Sequence, residues 1–169
     1  MIRQFSAGGV VYRKTSEGIE FLLRKNASSP GYPGSSEWSL PKGWLDDAPD
    51  GINPGPLTLG HKRATEDQIR NTAIKEVHEE GGVAAKIINR LGSVQFFFTD
   101  HNQQKVIKTV IFYLMEYQSN LPEGPGWESS AVSWYPPVQA RDMLKKRKGE
   151  AGLIEKAEKL INNNQQTLL

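Results

Sequence analysis

Two periodicities run along this chain. Runs rich in β-branched and aromatic residues predict strands at Phe5–Arg13 and Glu20–Arg24, joined by a turn over Thr15–Gly18. Further extended segments are expected at Trp38–Leu40, stopped by Pro41, and at Ala84–Ile88, Ser93–Phe98, Val106–Tyr117 and Ala131–Tyr135. Between them Ile69, Ala73, Ile74 and Val77 recur at helical spacing. Thr65 is placed to cap that helix, with Gln68 as its capping-box partner, and Gly81-Gly82 ends it. Helical patterns return over Val138–Lys148 and Leu153–Ile161. Strands mixed with one central helix and a C-terminal helix predict an α/β sandwich with a mixed sheet.

Polar and glycine- or proline-rich stretches fill the gaps. Asn26–Ser36 reads as a loop, as does the long stretch Asp46–Ala64. Its Ala-Pro-Asp-Gly-Ile-Asn-Pro-Gly-Pro run continues neither a helix nor a central strand. We expect one domain over residues 1–163, with 46–64 as an insertion loop and 164–169 as a frayed tail.

Composition narrows the function classes. A net charge of +2 carries no strong nucleic-acid or membrane signal. With no cysteine there are no disulfides, thiolate metal sites or cysteine nucleophiles, which suits a cytoplasmic protein. The N-terminus lacks a signal peptide's apolar core, and no apolar run approaches the ~18–20 residues of a membrane span.

The chemistry concentrates in Lys75-Glu76-Val77-His78-Glu79-Glu80-Gly81-Gly82-Val83. On a helix Glu76, Glu79 and Glu80 stand three and four residues apart and project to one side. Such anions repel unless a hard cation such as Mg²⁺ or Mn²⁺ joins them. The competing reading is a solvated, glutamate-rich helix end.

Upstream lies Trp38-Ser39-Leu40-Pro41-Lys42-Gly43-Trp44, and together the two segments resemble the box of the Nudix hydrolases. Ala7-Gly8-Gly9-Val10-Val11-Tyr12 is similar to that family's first strand. Three departures stand out. Lys75 replaces an arginine, the first acid of the box falls on Asp67 (Glu66 fits with a shift of one), and the spacing from Gly43 to Asp67 is stretched. The resemblance implies an α/β/α sandwich around a metal-binding helix. It also implies Mg²⁺ or Mn²⁺ held by Glu76, Glu79, Glu80 and a backbone carbonyl at Lys42 or Gly43. Asp67 and Lys75 would orient those ligands, and Glu128, before the last strand, would bind metal or act as general base. Glu123 is a weaker substitute for Glu128.

Two further segments resemble the asymmetric diadenosine tetraphosphate hydrolases within that family: Ile107-Lys108-Thr109-Val110-Ile111-Phe112-Tyr113-Leu114, and Tyr32-Pro33 ahead of Trp38. That likeness implies a small-molecule nucleotide substrate, with Tyr32 stacking a base and Lys42, Lys105 and Lys108 meeting phosphates. Base stacking on an aromatic contributes ~1–3 kcal/mol. Triphosphorylated or capped RNA 5′ ends and inositol pyrophosphates are alternative substrates. A nucleotide-binding or regulatory domain without turnover is the competing class. Phe96-Phe97-Phe98 is expected to serve core and edge, and Lys145-Lys146-Arg147-Lys148 to be a solvated face. The sequence does not set the oligomeric state.

Overall fold

The computed structural model describes residues 1–30 and 33–167, with side chains as far as Asn164. Strands β1 (Ile2–Thr15), β2 (Gly18–Asn26), β3 (Trp38–Ser39) and β4 (Lys42–Trp44) precede helix α1 (Glu66–Glu76). A single π-helical turn, Val77–Gly81, continues α1. Strands β5 (Val83–Thr99), β6 (Lys105–Asn120) and β7 (Ser129–Tyr135) follow, then helices α2 (Pro137–Met143) and α3 (Lys148–Thr167).

The sheet is mixed, as expected. Its order is β3-β2-β1-β6-β5, with β4 on β1 and β7 on β2. β1 runs parallel to β6 from Ile2 opposite Val106 to Tyr12 opposite Glu116, while the other pairings are antiparallel. β1 and β2 pair only near their turn, from Tyr12–Phe21 to Thr15–Gly18. Beyond it they diverge, and segment 38–44 fills the gap, with β3 on Arg24 and Lys25 and β4 on Ser6–Gly8. Gly8 and Gly9 make this possible. A Cβ at Gly8 would lie 2.3 Å from the Pro41 carbonyl oxygen, and one at Gly9 2.5 Å from Val77 Cγ2. Side-chain-free backbone in β1 thus brings segment 38–44 and the end of α1 together.

Strand alternation separates two cores. Val10, Tyr12, Phe21, Leu23, Phe112 and Leu114 face α2 and α3, where Ala140, Leu144, Ile154 and Ala157 are buried. Ala7, Val11, Leu22, Tyr113 and Met115 face α1 through Ala73 and Val77. The result is helix–sheet–helix layering.

The capping box forms as the sequence predicts. Thr65 Oγ1 accepts from Gln68 N at 3.2 Å and Gln68 Oε1 accepts from Thr65 N at 2.9 Å. Thr65→Ala is expected to lower stability by about 1 kcal/mol, read as a shift in urea midpoint at unchanged slope. Gly82 closes the helical segment at φ 69°, the left-handed conformation that glycine tolerates.

Two boundaries differ from expectation. Ala84–Ile88 and Ser93–Phe98 belong to one strand, because register shifts near Ala84, Ile87 and Arg90 absorb the polar interruption as bulges against β6. The helix expected over Val138–Lys148 stops at Met143, where Leu144 leaves helical geometry, and a new helix starts at Lys148. Gly149 obscures that start, since glycine is a poor helix former. Its missing Cβ, which would lie 2.5 Å from Val94 Cγ1, lets α3 settle on β5. α3 itself runs on to Thr167.

The insertion folds back on Asp46. Its carboxylate accepts from Leu57 N at 3.0 Å and Thr58 N at 2.8 Å, while Thr58 Oγ1 donates to the Asp46 carbonyl at 2.8 Å. Thr58 O then takes Phe5 N at 2.8 Å, tying the loop to β1.

Candidate active site

A cavity of about 560 Å³ opens where β4, α1 and the segment before β7 meet. Glu76, Glu79, Glu80 and Glu128 all line it. The three helical glutamates are not equivalent. Glu76 closes α1 and is 7% exposed. A Cβ at Gly43 would lie 2.2 Å from its Cδ, so only glycine lets β4 pass the carboxylate. Among the described residues Glu76 accepts no hydrogen bond and forms no ion pair. Its carboxyl is pushed up to about 8, first by burial and then by the negative charges of Glu80 and Glu79.

Glu80, in the π-helical turn, is also buried, but it is partnered. Arg24 Nη2 lies 3.1 Å from Oε2, and Oε1 accepts the Lys42 N–H at 2.8 Å. Burial raises its carboxyl, while Arg24 and the Lys42 N–H oppose the shift. Arg24 is itself 2% exposed and donates to Ser129 Oγ at 3.0 Å and to the Glu128 carbonyl at 2.7 Å. One buried arginine thus ties β2, the π-helical turn and the Glu128 segment together. Glu79 is exposed and sits 3.9 Å from Lys75. Lysine therefore does reach a glutamate of the cluster, as an exposed pair of small energetic weight, ~0–1 kcal/mol.

Cations face these acids. Lys42 Nζ lies 3.5 Å from the fully buried Glu150. Burial lowers the Lys42 ammonium, an effect that Glu150 opposes. Lys108 lines the same cavity, and its ammonium is lowered to about 8, first by burial and then by the charge of Lys42. Lys105 starts β6 on the surface and is not among the lining residues. Asp67 sits exposed in the first turn of α1, away from the cavity and without an ion pair to Lys75. The first-turn acid that reaches across is Glu66. It accepts from Tyr113 Oη at 2.7 Å and pairs with Arg90 at 3.2 Å. Tyr32 lies outside the described residues.

Several lining residues carried no sequence signal or a weak one. Arg24 interrupts an apolar strand, and a charge there must find a partner. Asp47 and Gly51 bring the insertion to the cavity wall. Trp127, 74% exposed, stands beside Glu128 at the rim. A second hollow of about 700 Å³ beside the start of α1 is lined by Phe5, Leu57, Ile69 and Ile111 and does not include the glutamate cluster.

The donor set suits a hard cation. A buried carboxylate without a partner, two neighbouring acids and a glycine that leaves room for the nearest of them are oxygen ligands short of positive charge. As the side chains stand, no three His, Asp or Glu among the described residues converge closely enough to hold a metal ion. Glu79 would have to turn inward from its exposed position.

The model of the NUDIX domain family matches residues 2–157. The chain therefore belongs to the Nudix family, in agreement with the sandwich and the glutamate helix. It is 31% identical over 164 residues to "Putative mutator protein MutT4" of Mycobacterium tuberculosis (strain CDC 1551 / Oshkosh), a match that takes in 97% of this chain. The chain spans 58% of the length of that relative. Among solved structures, a C. elegans Ap4A hydrolase binary complex superposes with TM-score 0.60 at 20% identity, covering 95% of this chain and 98% of the other. The NUDIX domain of Shewanella oneidensis NrtR, complexed with ADP ribose, gives TM-score 0.58 at 17% identity over 95% and 90%. At such identities these likenesses establish the fold.

Proposed function

We propose that this chain is a divalent-metal-dependent pyrophosphohydrolase of nucleoside polyphosphates, with dinucleoside polyphosphates such as diadenosine tetraphosphate as its leading substrates. The observation that carries this reading is the unpartnered, buried Glu76 in a cavity shared by Glu79, Glu80, Glu128, Lys42 and Lys108. Glu76, Glu79, Glu80 and the Gly43 carbonyl would hold Mg²⁺ or Mn²⁺. Such an ion neutralises phosphate charge and lowers the pKa of a water molecule.

The chain's own groups divide the remaining work. Arg24 fixes Glu80 from behind, so that one member of the acid cluster cannot swing away. Glu128, exposed at the cavity, takes a proton from water, work that contributes about 10²–10⁴-fold. Lys42 and Lys108 receive the phosphate chain, and Lys105 meets its outer end. Lys75 steadies Glu79, and Asp67 adds negative charge at the start of α1. Tyr32 stacks a base, and the exposed indole of Trp127 supplies a stacking surface at the rim. Two things support the substrate class: the sequence likeness around Lys108 and Tyr32, and a structural neighbour that is a diadenosine tetraphosphate hydrolase. The absence of cysteine favours a cytoplasmic setting, and among the described residues no helix is long and apolar enough to cross a membrane.

The test is to resolve the products formed from diadenosine polyphosphates, nucleoside triphosphates, sugar nucleotides and triphosphorylated RNA with Mg²⁺ or Mn²⁺, wild type beside Glu79→Gln. We expect diadenosine tetraphosphate to yield a mono- and a triphosphate, with turnover falling on the order of 10²-fold in the variant. Nucleotide binding without turnover in the wild type would overturn the enzyme reading in favour of a sensor domain.

A further inference from the structure

The run Lys145-Lys146-Arg147-Lys148 looks uniform in sequence, yet the structure sorts it. Lys146 is 73% exposed and paired with Glu37 at 3.8 Å. Arg147 is 23% exposed and turns inward to line the catalytic cavity, the one residue of the four that does. Two contacts hold it there. Its guanidinium lies 5.8 Å from the Phe96 ring centre, the same ring that Lys42 Nζ approaches at 5.8 Å. Its Nη1 lies 3.4 Å from Glu150 Oε2.

Glu150 is fully buried in the first turn of α3. Its Oε1 accepts Leu40 N at 3.0 Å and sits 3.5 Å from Lys42 Nζ. One carboxylate thus bridges α3 to segment 38–44 and orients two cations that line the cavity. Lys42 and Arg147 both stand close enough to Lys108 for it to feel their charge, in a cavity that also holds Glu76, Glu79, Glu80 and Glu128. Arg147 has a second acid beside it. Its buried Nε faces Glu37 Oε2 at 3.9 Å, an ion pair without a hydrogen bond. A planar, permanently charged fork that lines the cavity matches phosphate oxygens.

We propose that Arg147 binds the phosphate chain of the substrate alongside Lys42 and Lys108, and that the buried Glu150 positions both Arg147 and Lys42 for it. This rests on the hydrolase reading above and adds the contacts that favour longer phosphate chains. Arg147 is the binding residue, and Glu150 acts through the two cations it holds. The three cations come from three elements: Lys42 from β4, Lys108 from β6 and Arg147 from the α2–α3 link. A short diphosphate can be held without all of them, whereas a tri- or tetraphosphate can engage the set.

The experiment compares wild type, Arg147→Gln, Arg147→Lys, Glu150→Gln and the Arg147→Gln/Glu150→Gln pair, with thermal melts of each. It reads kcat and KM for adenosine nucleotides of two to four phosphates, and inhibition and direct binding by inorganic tripolyphosphate. Arg147→Gln is expected to raise KM and weaken tripolyphosphate about tenfold, with kcat within a few-fold and a smaller effect on diphosphates. Arg147→Lys should recover part of the loss. Glu150→Gln should raise KM as well, and the double variant should lose less than the sum of the two. If burial makes Glu150→Gln unfold, the Gln and Lys variants of Arg147 still decide the matter. Tripolyphosphate binding and KM unchanged in Arg147→Gln would overturn the proposal. Binding needs no turnover. If the wild type cleaves nothing but tripolyphosphate affinity falls in Arg147→Gln, the hydrolase reading fails while the phosphate contact stands.

Discussion

Gly43→Ala is expected to reduce turnover by roughly 10²–10⁴-fold while leaving a folded protein. The added methyl would stand 2.2 Å from Glu76 Cδ and 2.3 and 2.5 Å from its two oxygens. Neither side can retreat cheaply. Gly43 is paired with Ala7 of β1, and Pro41 O accepts from Gly9 N at 3.1 Å. α1 is held against the same strand by Val77 over Gly9. The freest part is the Glu76 side chain, so the substitution evicts the carboxylate from its place beside Gly43. If Glu76 and the Gly43 carbonyl hold the metal as proposed, both are disturbed together, and a displacement near 1 Å at such a centre can cost ~10²-fold. The strain itself should cost about 1–3 kcal/mol. Gly152→Ala is the control, since nothing lies within 4 Å of a Cβ there and alanine favours the helix. Turnover and Mg²⁺ titration of the two variants, beside their melting curves, separate lost ligation from lost stability. Full turnover in Gly43→Ala would show that Glu76 does no work where it stands.

How much of this site was legible follows from which forces are local. Helix α1 could be read because its cap, its stripe and its glycine stop are set by neighbours in sequence. The acid cluster was legible for the same reason, and its approach to Gly43 came from family likeness. The choice of Asp67 over Glu66 followed box spacing, whereas the helix itself favours Glu66. Residues 66, 69, 73 and 77 share one stripe, and Asp67 is rotated about 100° away from it. The continuity of β5 was hidden because bulges are decided by the partner strand β6. Arg147 was hidden for a deeper reason. The run does not say which of its cations turns inward, and the inward turn of Arg147 depends on Phe96 and Glu150, brought there by packing. The unequal burial of Glu76, Glu79 and Glu80 is likewise set by segment 38–44, far away in sequence.

That inequality predicts how the metal-free protein responds to pH. The Glu76 carboxyl titrates at about 8 in the folded chain against an ordinary value of 4.5. Between these values the folded state carries a proton that the unfolded state has released. This group's contribution to stability is therefore fully present below the ordinary carboxylate range and is lost as pH rises through about 8. At ~1.4 kcal/mol per unit, the loss from this group is roughly 3–5 kcal/mol. Glu80, also raised, adds in the same direction. Lys108 opposes them, but only above about 8, where its folded form deprotonates first and stability rises with pH. The window to examine is accordingly pH 5 to 8. Urea midpoints measured without metal should fall across it, and Glu76→Gln should remove most of the slope, leaving the share due to Glu80. If the ion binds the ionised carboxylates as proposed, saturating Mg²⁺ should restore stability chiefly at the alkaline end, because binding to the folded state stabilises it by mass action. A flat profile in the wild type would mean that Glu76 is already compensated. An Mg²⁺ effect equal at pH 5 and pH 8 would mean that the ion binds elsewhere.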